Sequence, residues 1–214
     1  MKNKIDLSVH NLISAYSQGI FPMGNEFGEV NWYEADPRGI MPLESLHIPH
    51  DLKRILRQEK FSVTLNRAFK ETITACADRP EPTWITDYII EAYIELHKIG
   101  YAHSVETWHA GKLVGGLYGV SIGGAFFGES MFFRTRDASK VALVHLWVWL
   151  KRCGFSIFDI QMLTELLKRF GAKQIGKADY LIKLKPALTK KRMLKNSAIN
   201  WTQEFRNLKE DRFV

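Results

Sequence analysis

Residues 102–161 read AHSVETWHAGKLVGGLYGVSIGGAFFGESMFFRTRDASKVALVHLWVWLKRCGFSIFDIQ, and this stretch decides the fold. Apolar and small residues fill Ala102–Trp108, Leu113–Val120 and Ala125–Phe132, with the tight turns His109-Ala-Gly111-Lys112 and Ser121-Ile-Gly-Gly124 between them. Turns this short join antiparallel neighbours, so the three runs predict a meander. Ala138–Arg152 follows, with Leu143, Leu146, Trp147 and Leu150 at helical spacing. After Gly154, Phe155–Gln161 reads as another strand and Leu163–Phe170 as a helix closed by Gly171. Three polar residues interrupt these apolar strands: Glu129 in the third run, then Asp159 and Gln161. Residues two apart share a strand face, so Asp159 and Gln161 point the same way. A buried carboxylate costs several kcal/mol unless it is paired. Spacing alone leaves two readings open, a satisfied internal hydrogen-bond pair or a functional site.

The rest of the chain bounds the choice. A length of 214 residues allows one large or two small domains, and 46% hydrophobic residues supply a real core. No run of eighteen apolar residues is present, so no membrane span is expected. The first residues, Met1-Lys-Asn-Lys-Ile-Asp6, lack the apolar stretch of a signal peptide. Cys76 and Cys153 lie far apart in helical patterns, at no zinc-binding spacing, which suits free thiols in a reducing compartment. A cytoplasmic, metal-free protein is the expectation.

The net charge of +7 is unevenly spread. Residues 168–214 carry 13 Lys/Arg and 4 Asp/Glu, or +9, leaving −2 on residues 1–167. Within that acidic part, Lys53, Arg54, Arg57 and Lys60 fall at i, i+1, i+4 and i+7, opposite Leu52, Ile55 and Leu56. A solvated helix face explains the stripe, and so does contact with a phosphate backbone, because no acidic partner lies on it.

Further elements are expected along the chain. A helix capped by Ser8 runs through Leu12 and Tyr16 to Gly19, and short strands flank the Asp36-Pro37-Arg38 turn. Phe61–Leu65 reads as a strand. Helices capped by Asn66 and Thr86 follow, and Asp179–Leu184 reads as the last helix. The organisation predicted is a small N-terminal domain with the basic helix over residues 1–60, a catalytic domain over 61–185, and a basic tail over 186–214. A meander, a helix, a strand and a helix match the core of the N-acyltransferase fold. The fold class expected is therefore α+β, with a mixed, largely antiparallel sheet. Enzymes of that fold that use acyl-CoA hold its pyrophosphate on a glycine-rich loop before the long helix. Here that stretch is Phe133-Arg-Thr-Arg-Asp-Ala-Ser-Lys140, without glycine. Coenzyme A is a poor donor for this sequence, though Arg134, Arg136 and Lys140 could hold phosphate or ribose by side chain.

Read in order, several segments closely resemble the leucyl/phenylalanyl-tRNA–protein transferase family. They are Ala15-Tyr-Ser-Gln-Gly-Ile-Phe-Pro22, Trp32-Tyr-Glu-Ala-Asp-Pro-Arg38, Glu44-Ser-Leu-His-Ile48, Thr83-Trp-Ile-Thr86 and His103-Ser104. Leu113-Val-Gly-Gly-Leu-Tyr-Gly119, Gly128-Glu-Ser-Met-Phe132, Ala138-Ser-Lys140, then Asp159 and Gln161 complete the series. An ordered series over roughly residues 8–185 is far more specific than one short motif. The resemblance implies an aminoacyltransferase that moves Leu or Phe from aminoacyl-tRNA to the N-terminal amine of proteins beginning with Arg or Lys. Its product is an N-degron, and the reaction needs no cofactor. A monomer acting away from membranes is the expectation.

The resemblance also assigns residues. Asp159, Gln161 and Glu129 would form the catalytic set: Gln161 accepts the amine hydrogen, Asp159 orients Gln161 or offsets substrate charge, and Glu129 sits beside the terminal adenosine. Met23, Leu117, Phe126 and Leu143 would line the amino-acid pocket, with Trp84 near the adenine or ester. Taken singly, each of these reads as core rather than pocket. Lys53, Arg54, Arg57 and Lys60 would grip tRNA phosphates. Two departures stand out. Met23 replaces a common aromatic, and Thr164-Glu-Leu-Leu167 replaces a polar run after the glutamine. Competing expectations are an acyl-CoA N-acyltransferase on the same fold and a non-catalytic tRNA-binding relative.

Overall fold

The three predicted strands form, and their register explains what surrounds them. A computed structural model describes residues 5–80, 82–196 and 199–207. Its first half contains α1 (Val9–Ser17), β1 (Phe21–Gly24), β2 (Val30–Tyr33), β3 (Arg38–Ile40), α2 (His50–Arg57), β4 (Ser62–Leu65), α3 (Phe69–Ala77) and α4 (Asp87–Lys98). The second half contains β5 (Ala102–His109), β6 (Lys112–Ile122), β7 (Ala125–Phe133), α5 (Ala138–Arg152), β8 (Ile157–Gln161), α6 (Glu165–Lys168), β9 (Lys173–Ile175), α7 (Lys177–Leu188) and α8 (Trp201–Asn207).

Seven strands form one mixed sheet in the order β4-β5-β6-β7-β8-β3-β9, and β1 and β2 make a separate hairpin. Every pairing in the large sheet is antiparallel except β7 with β8. The α5 crossover makes that parallel pair possible, since parallel neighbours need a long connection. This is the N-acyltransferase-like α+β arrangement expected from residues 102–161. One apolar cluster covers the face under α5 and α2, and a second covers the face under α1, α3, α4 and α7. Twelve of the fifteen residues of α5 are buried, so this helix is core on nearly every side.

Several local expectations are corrected. Asn66 does not cap α3. It has φ 61°, and its side chain bonds His103 and the Ser104 N–H, leaving Ala68 at the N-cap. Ser8 precedes α1 but makes no side-chain cap, because its hydroxyl donates to Asp6 instead. The last long helix reaches Leu188 and carries Pro186 inside it. β3 and α2, within residues 1–60, belong to the large sheet and to the α5-side core.

The expected basic tail falls partly outside the described residues, at 197–198 and 208–214. Its described aromatic residues are packed. Trp201 and Phe205 lie against His145 at 4.1 and 5.2 Å between ring centroids, and Arg152 pairs with Glu204. Among the described residues, no helix is long and apolar enough to cross a membrane.

Candidate active site

Parallel pairing between β7 and β8 is short. It joins Ala125 to Ile157, Phe126 to Phe158 and Phe127 to Asp159. Two steps further, that register would face Glu129 with Gln161, and there side chains replace the ladder: Gln161 Nε2 donates to Glu129 Oε1 at 3.0 Å. Two local irregularities turn these residues into the gap. On β7, Tyr118 pairs with Ser130 and Gly119 with Gly128, so Glu129 is the extra residue of a bulge. On β8, Gln161 has φ 52°, and Met162 N–H closes a tight turn onto Ile160 O at 2.6 Å. A non-glycine residue held at such a φ costs on the order of 1–3 kcal/mol, a strain that clusters at functional sites. Gly39 permits the turn, since a Cβ there would lie 3.0 Å from Leu163 N and Met162 C.

Asp159 holds this strained residue through its backbone. Its Oδ1 accepts the Gln161 N–H at 2.8 Å. The carboxylate is otherwise committed to Arg38, which donates from Nε at 2.9 and 3.2 Å and from Nη2 at 2.8 Å, and to Tyr180 Oη at 2.5 Å. Arg38 is 1% exposed and Asp159 is fully buried, so each ion depends on the other. The guanidinium lies over the Phe21 and Tyr180 rings, and its Nη1 donates to Gly19 O at 2.8 Å. One arginine therefore ties the chain entering β1 to the strand carrying Gln161.

Where the sheet splays, a cavity of about 340 Å³ opens. Met23, Trp84, Leu117, Leu143, Glu129 and Gln161, all singled out by the resemblance, line it. Two sequence-predicted residues do not. Asp159 is sealed beneath the site by Arg38, so it offers no charge to a bound molecule. Phe126 is fully buried and stands behind Phe158 in an edge contact at 5.7 Å. Phe158 itself lines the cavity, with Met131, Ile160 and Arg79, all missed from sequence. Thr164, Leu166 and Leu167 also line the cavity, which places the altered run after Gln161 on its wall.

Burial raises the Glu129 carboxyl from 4.5 to about 8; the nearby Asp159 charge adds to the rise, and hydrogen bonding from Tyr16 and Tyr93 and the Arg38 charge oppose it. Burial, with Glu129 beside them, also holds the Tyr16, Tyr93 and Tyr118 phenols well above their usual value. Between about pH 4.5 and 8 the folded chain therefore keeps a proton that the unfolded chain has lost. Stability contributed by Glu129 is full below that window, falls as pH rises through it, and is gone above it. Wild-type Tm should drop more between pH 5 and 8.5 than that of Glu129→Gln, measured by thermal melts in matched buffers. Parallel curves would contradict the raised pKa.

The basic stripe is shorter than predicted. α2 ends at Arg57, and Glu59 turns at φ 47°, so Lys60 leaves the helix and places its Nζ over the Phe61 ring. Arg54 and Arg57 are exposed and Lys53 is half-buried. From the start of α2, a small groove lined by Asp51, Arg136, Lys140, Arg169 and Leu166 approaches the cavity, which Leu166 also lines. At the N-cap of α5 stands Asp137, whose carboxylate accepts from Lys140 Nζ at 2.6 Å. A carboxylate there opposes the pyrophosphate that an acyl-CoA enzyme would bind.

Residues 40–185 match the family described as leucyl/phenylalanyl-tRNA protein transferase, and residues 5–36 match the N-terminal domain of the same family. A protein from Salinibacter ruber named leucyl/phenylalanyl-tRNA--protein transferase is 54% identical over 86% of this chain and 81% of its own length. One of the same name from Paramagnetospirillum magneticum is 48% identical over 91% of this chain and 96% of its own. Among solved structures, a GCN5-related N-acetyltransferase-like protein from Streptococcus suis aligns with a TM-score of 0.36 and 17% identity, covering 78% of this chain and 64% of that one. That last likeness is too loose to bear on function.

Proposed function

Because the chain belongs to the leucyl/phenylalanyl-tRNA–protein transferase family, an aminoacyltransferase family, we propose that it moves Leu or Phe, and Met as a further donor, from aminoacyl-tRNA to proteins beginning with Arg or Lys. The acceptor is the N-terminal amine, and the product is a new peptide bond that marks the protein as an N-degron. One observation carries this reading: Glu129 and Gln161 face each other across the splayed strands, over an apolar cavity.

An aminoacyl ester is already activated, so the task left is alignment of the amine, proton removal and stabilisation of the tetrahedral oxyanion. Gln161 gives its Nε2 to Glu129, which leaves Oε1 to accept a hydrogen from the attacking amine. Arg38 and Asp159 act as positioning residues that hold the backbone of Gln161. The amine nitrogen bonds to the ester carbon, the ester C–O bond breaks, and the released ribose oxygen takes up the proton the amine gives up. The donor side chain fits among Met23, Leu117, Leu143 and Phe158, with Trp84 near the ester. One methylene in such a pocket is worth about 1–3 kcal/mol, enough for modest discrimination.

The reading is tested with tRNA charged with labelled Leu, Phe or Met and a peptide panel varied at the first residue. Label on Arg- and Lys-starting peptides alone supports it. Transfer to other N-termini would move the acceptor assignment, and no transfer would refute it. Binding of tRNA gives a second expected outcome. Replacing Lys53 and Arg54 together with Ala should weaken charged-tRNA binding and flatten the slope of log affinity against log salt by roughly 2, one unit per lost phosphate contact. Turnover at saturating tRNA should stay unchanged. An unchanged salt slope, measured by filter binding, would remove α2 from the interface.

A further inference from the structure

Arg79 lies just beyond α3, lines the cavity and is exposed to solvent. Its Nε donates to Cys76 O at 2.9 Å, and its Nη2 donates to Ser130 Oγ at 2.5 Å and Met131 O at 3.3 Å. These bonds fix the plane of the guanidinium against β7 at the residue next to Glu129. They use one edge of the fork. Nη1 has no hydrogen-bond partner among the described residues, and no carboxylate pairs with Arg79 among them.

Arg38 and Arg152 each hold a carboxylate, and Arg136 lies beside one. At the cavity, by contrast, a rigidly held, uncompensated guanidinium faces a site whose remaining wall is largely apolar. The charge and the two donors left on Nη1 suit an oxyanion, above all a phosphate. It repels the ammonium group of an aminoacyl donor, so it does not serve the amino-acid end. Trp84 lines the same cavity, and its carbonyl accepts from Gly24 N–H at 2.9 Å, which ties its backbone to the end of β1.

We propose that Arg79 binds the phosphate on the 5′ side of the donor's terminal nucleoside, and that its contact with Ser130 and Met131 sets the distance from that phosphate to Gln161. This inference rests on the donor-site reading above and adds a subsite to it. It distinguishes two contributions to donor binding: the acyl pocket recognises the side chain, and Arg79 recognises the nucleotide whichever amino acid it carries.

The experiment uses two unreactive donors, leucine in amide linkage to 3′-amino-3′-deoxyadenosine, with and without a 5′-phosphate. Binding to the whole protein is measured by calorimetry. Wild type should prefer the phosphorylated compound by roughly ten- to a hundred-fold, the range for hydrogen bonds to a charged group. In Arg79→Ala the preference should fall close to one, with affinity for the unphosphorylated compound unchanged. Arg79→Lys should keep part of the preference, because it keeps the charge and loses the bonds that hold the guanidinium in place. If wild type binds both compounds equally, the phosphate subsite is wrong while the donor-site reading stands. If Arg79→Ala weakens both compounds alike, Arg79 is only a staple between α3 and β7. Binding of neither compound to wild type overturns the donor site and the inference together.

Discussion

Arg38→Ala is expected to destabilise the protein by about 3–5 kcal/mol, because it strands the Asp159 carboxylate in the core without its partner. The measurement is urea unfolding followed by tryptophan fluorescence. Arg38→Lys should recover only part of the loss. A lysine keeps the charge but cannot give Nε and Nη2 to one carboxylate while reaching Gly19 O. Asp159→Asn should behave similarly, since it keeps the shape and leaves the guanidinium unpaired. Stability alone does not reveal a positioning role, so kinetics are read on Arg38→Lys. With the geometry of Gln161 loosened, turnover should fall while KM for charged tRNA stays near wild type. A rise in KM with unchanged turnover would mean that Arg38 supports the β1 side of the cavity rather than the strand of Gln161.

Gln161→Ala should lower turnover by roughly a hundred-fold or more, the usual contribution of a group that handles the proton in the transition state. Charged-tRNA affinity should change little, because Gln161 is not on the basic surface. A companion variant separates chemistry from strain. Gln161→Gly relieves the backbone at φ 52° and should melt above Gln161→Ala, while being equally inactive. A site optimised for stability would place glycine there. Retention of a strained glutamine is the expected mark of function. Equal activity of either variant and wild type would remove Gln161 from the mechanism.

How much of this was legible in the sequence depended on distance along the chain. Glycine-rich turns at Gly111 and Gly123-Gly124 made the meander readable, and the apolar spacing of Ala138–Arg152 did the same for α5. Both are local signals. Arg38 carries the longest inference and was invisible: in sequence it ends an Asp-Pro-Arg turn, and its partner Asp159 lies 121 residues away. Spacing left a satisfied internal pair and a site as rival readings of the polar strand residues. The structure contains both, with Asp159 satisfied internally by Arg38 and with Gln161 and Glu129 facing the cavity.

Glu129 illustrates a second limit. Alternation places it on a buried face, but whether it pairs or bulges depends on how many residues of β6 oppose β7, which periodicity does not encode. Phe126 and Phe158 were hard to rank for the same reason, since either could meet the gap and only the register decides that Phe158 does. Lys60 left its helix because the chain turns at Glu59 without a glycine to announce it. The apolar tail residues Trp201 and Phe205 find their partners on α5, across a separation that no local pattern spans.

On the proposed mechanism, donor and amine meet in the gap between β7 and β8. A crystal structure with phenylalanine in amide linkage to 3′-amino-3′-deoxyadenosine tests it most directly. The benzyl ring is expected among Met23, Leu117, Leu143 and Phe158, with the amide carbonyl within hydrogen-bonding reach of Gln161 or Glu129. Density for the compound elsewhere, with the cavity at Gln161 unfilled, would contradict it.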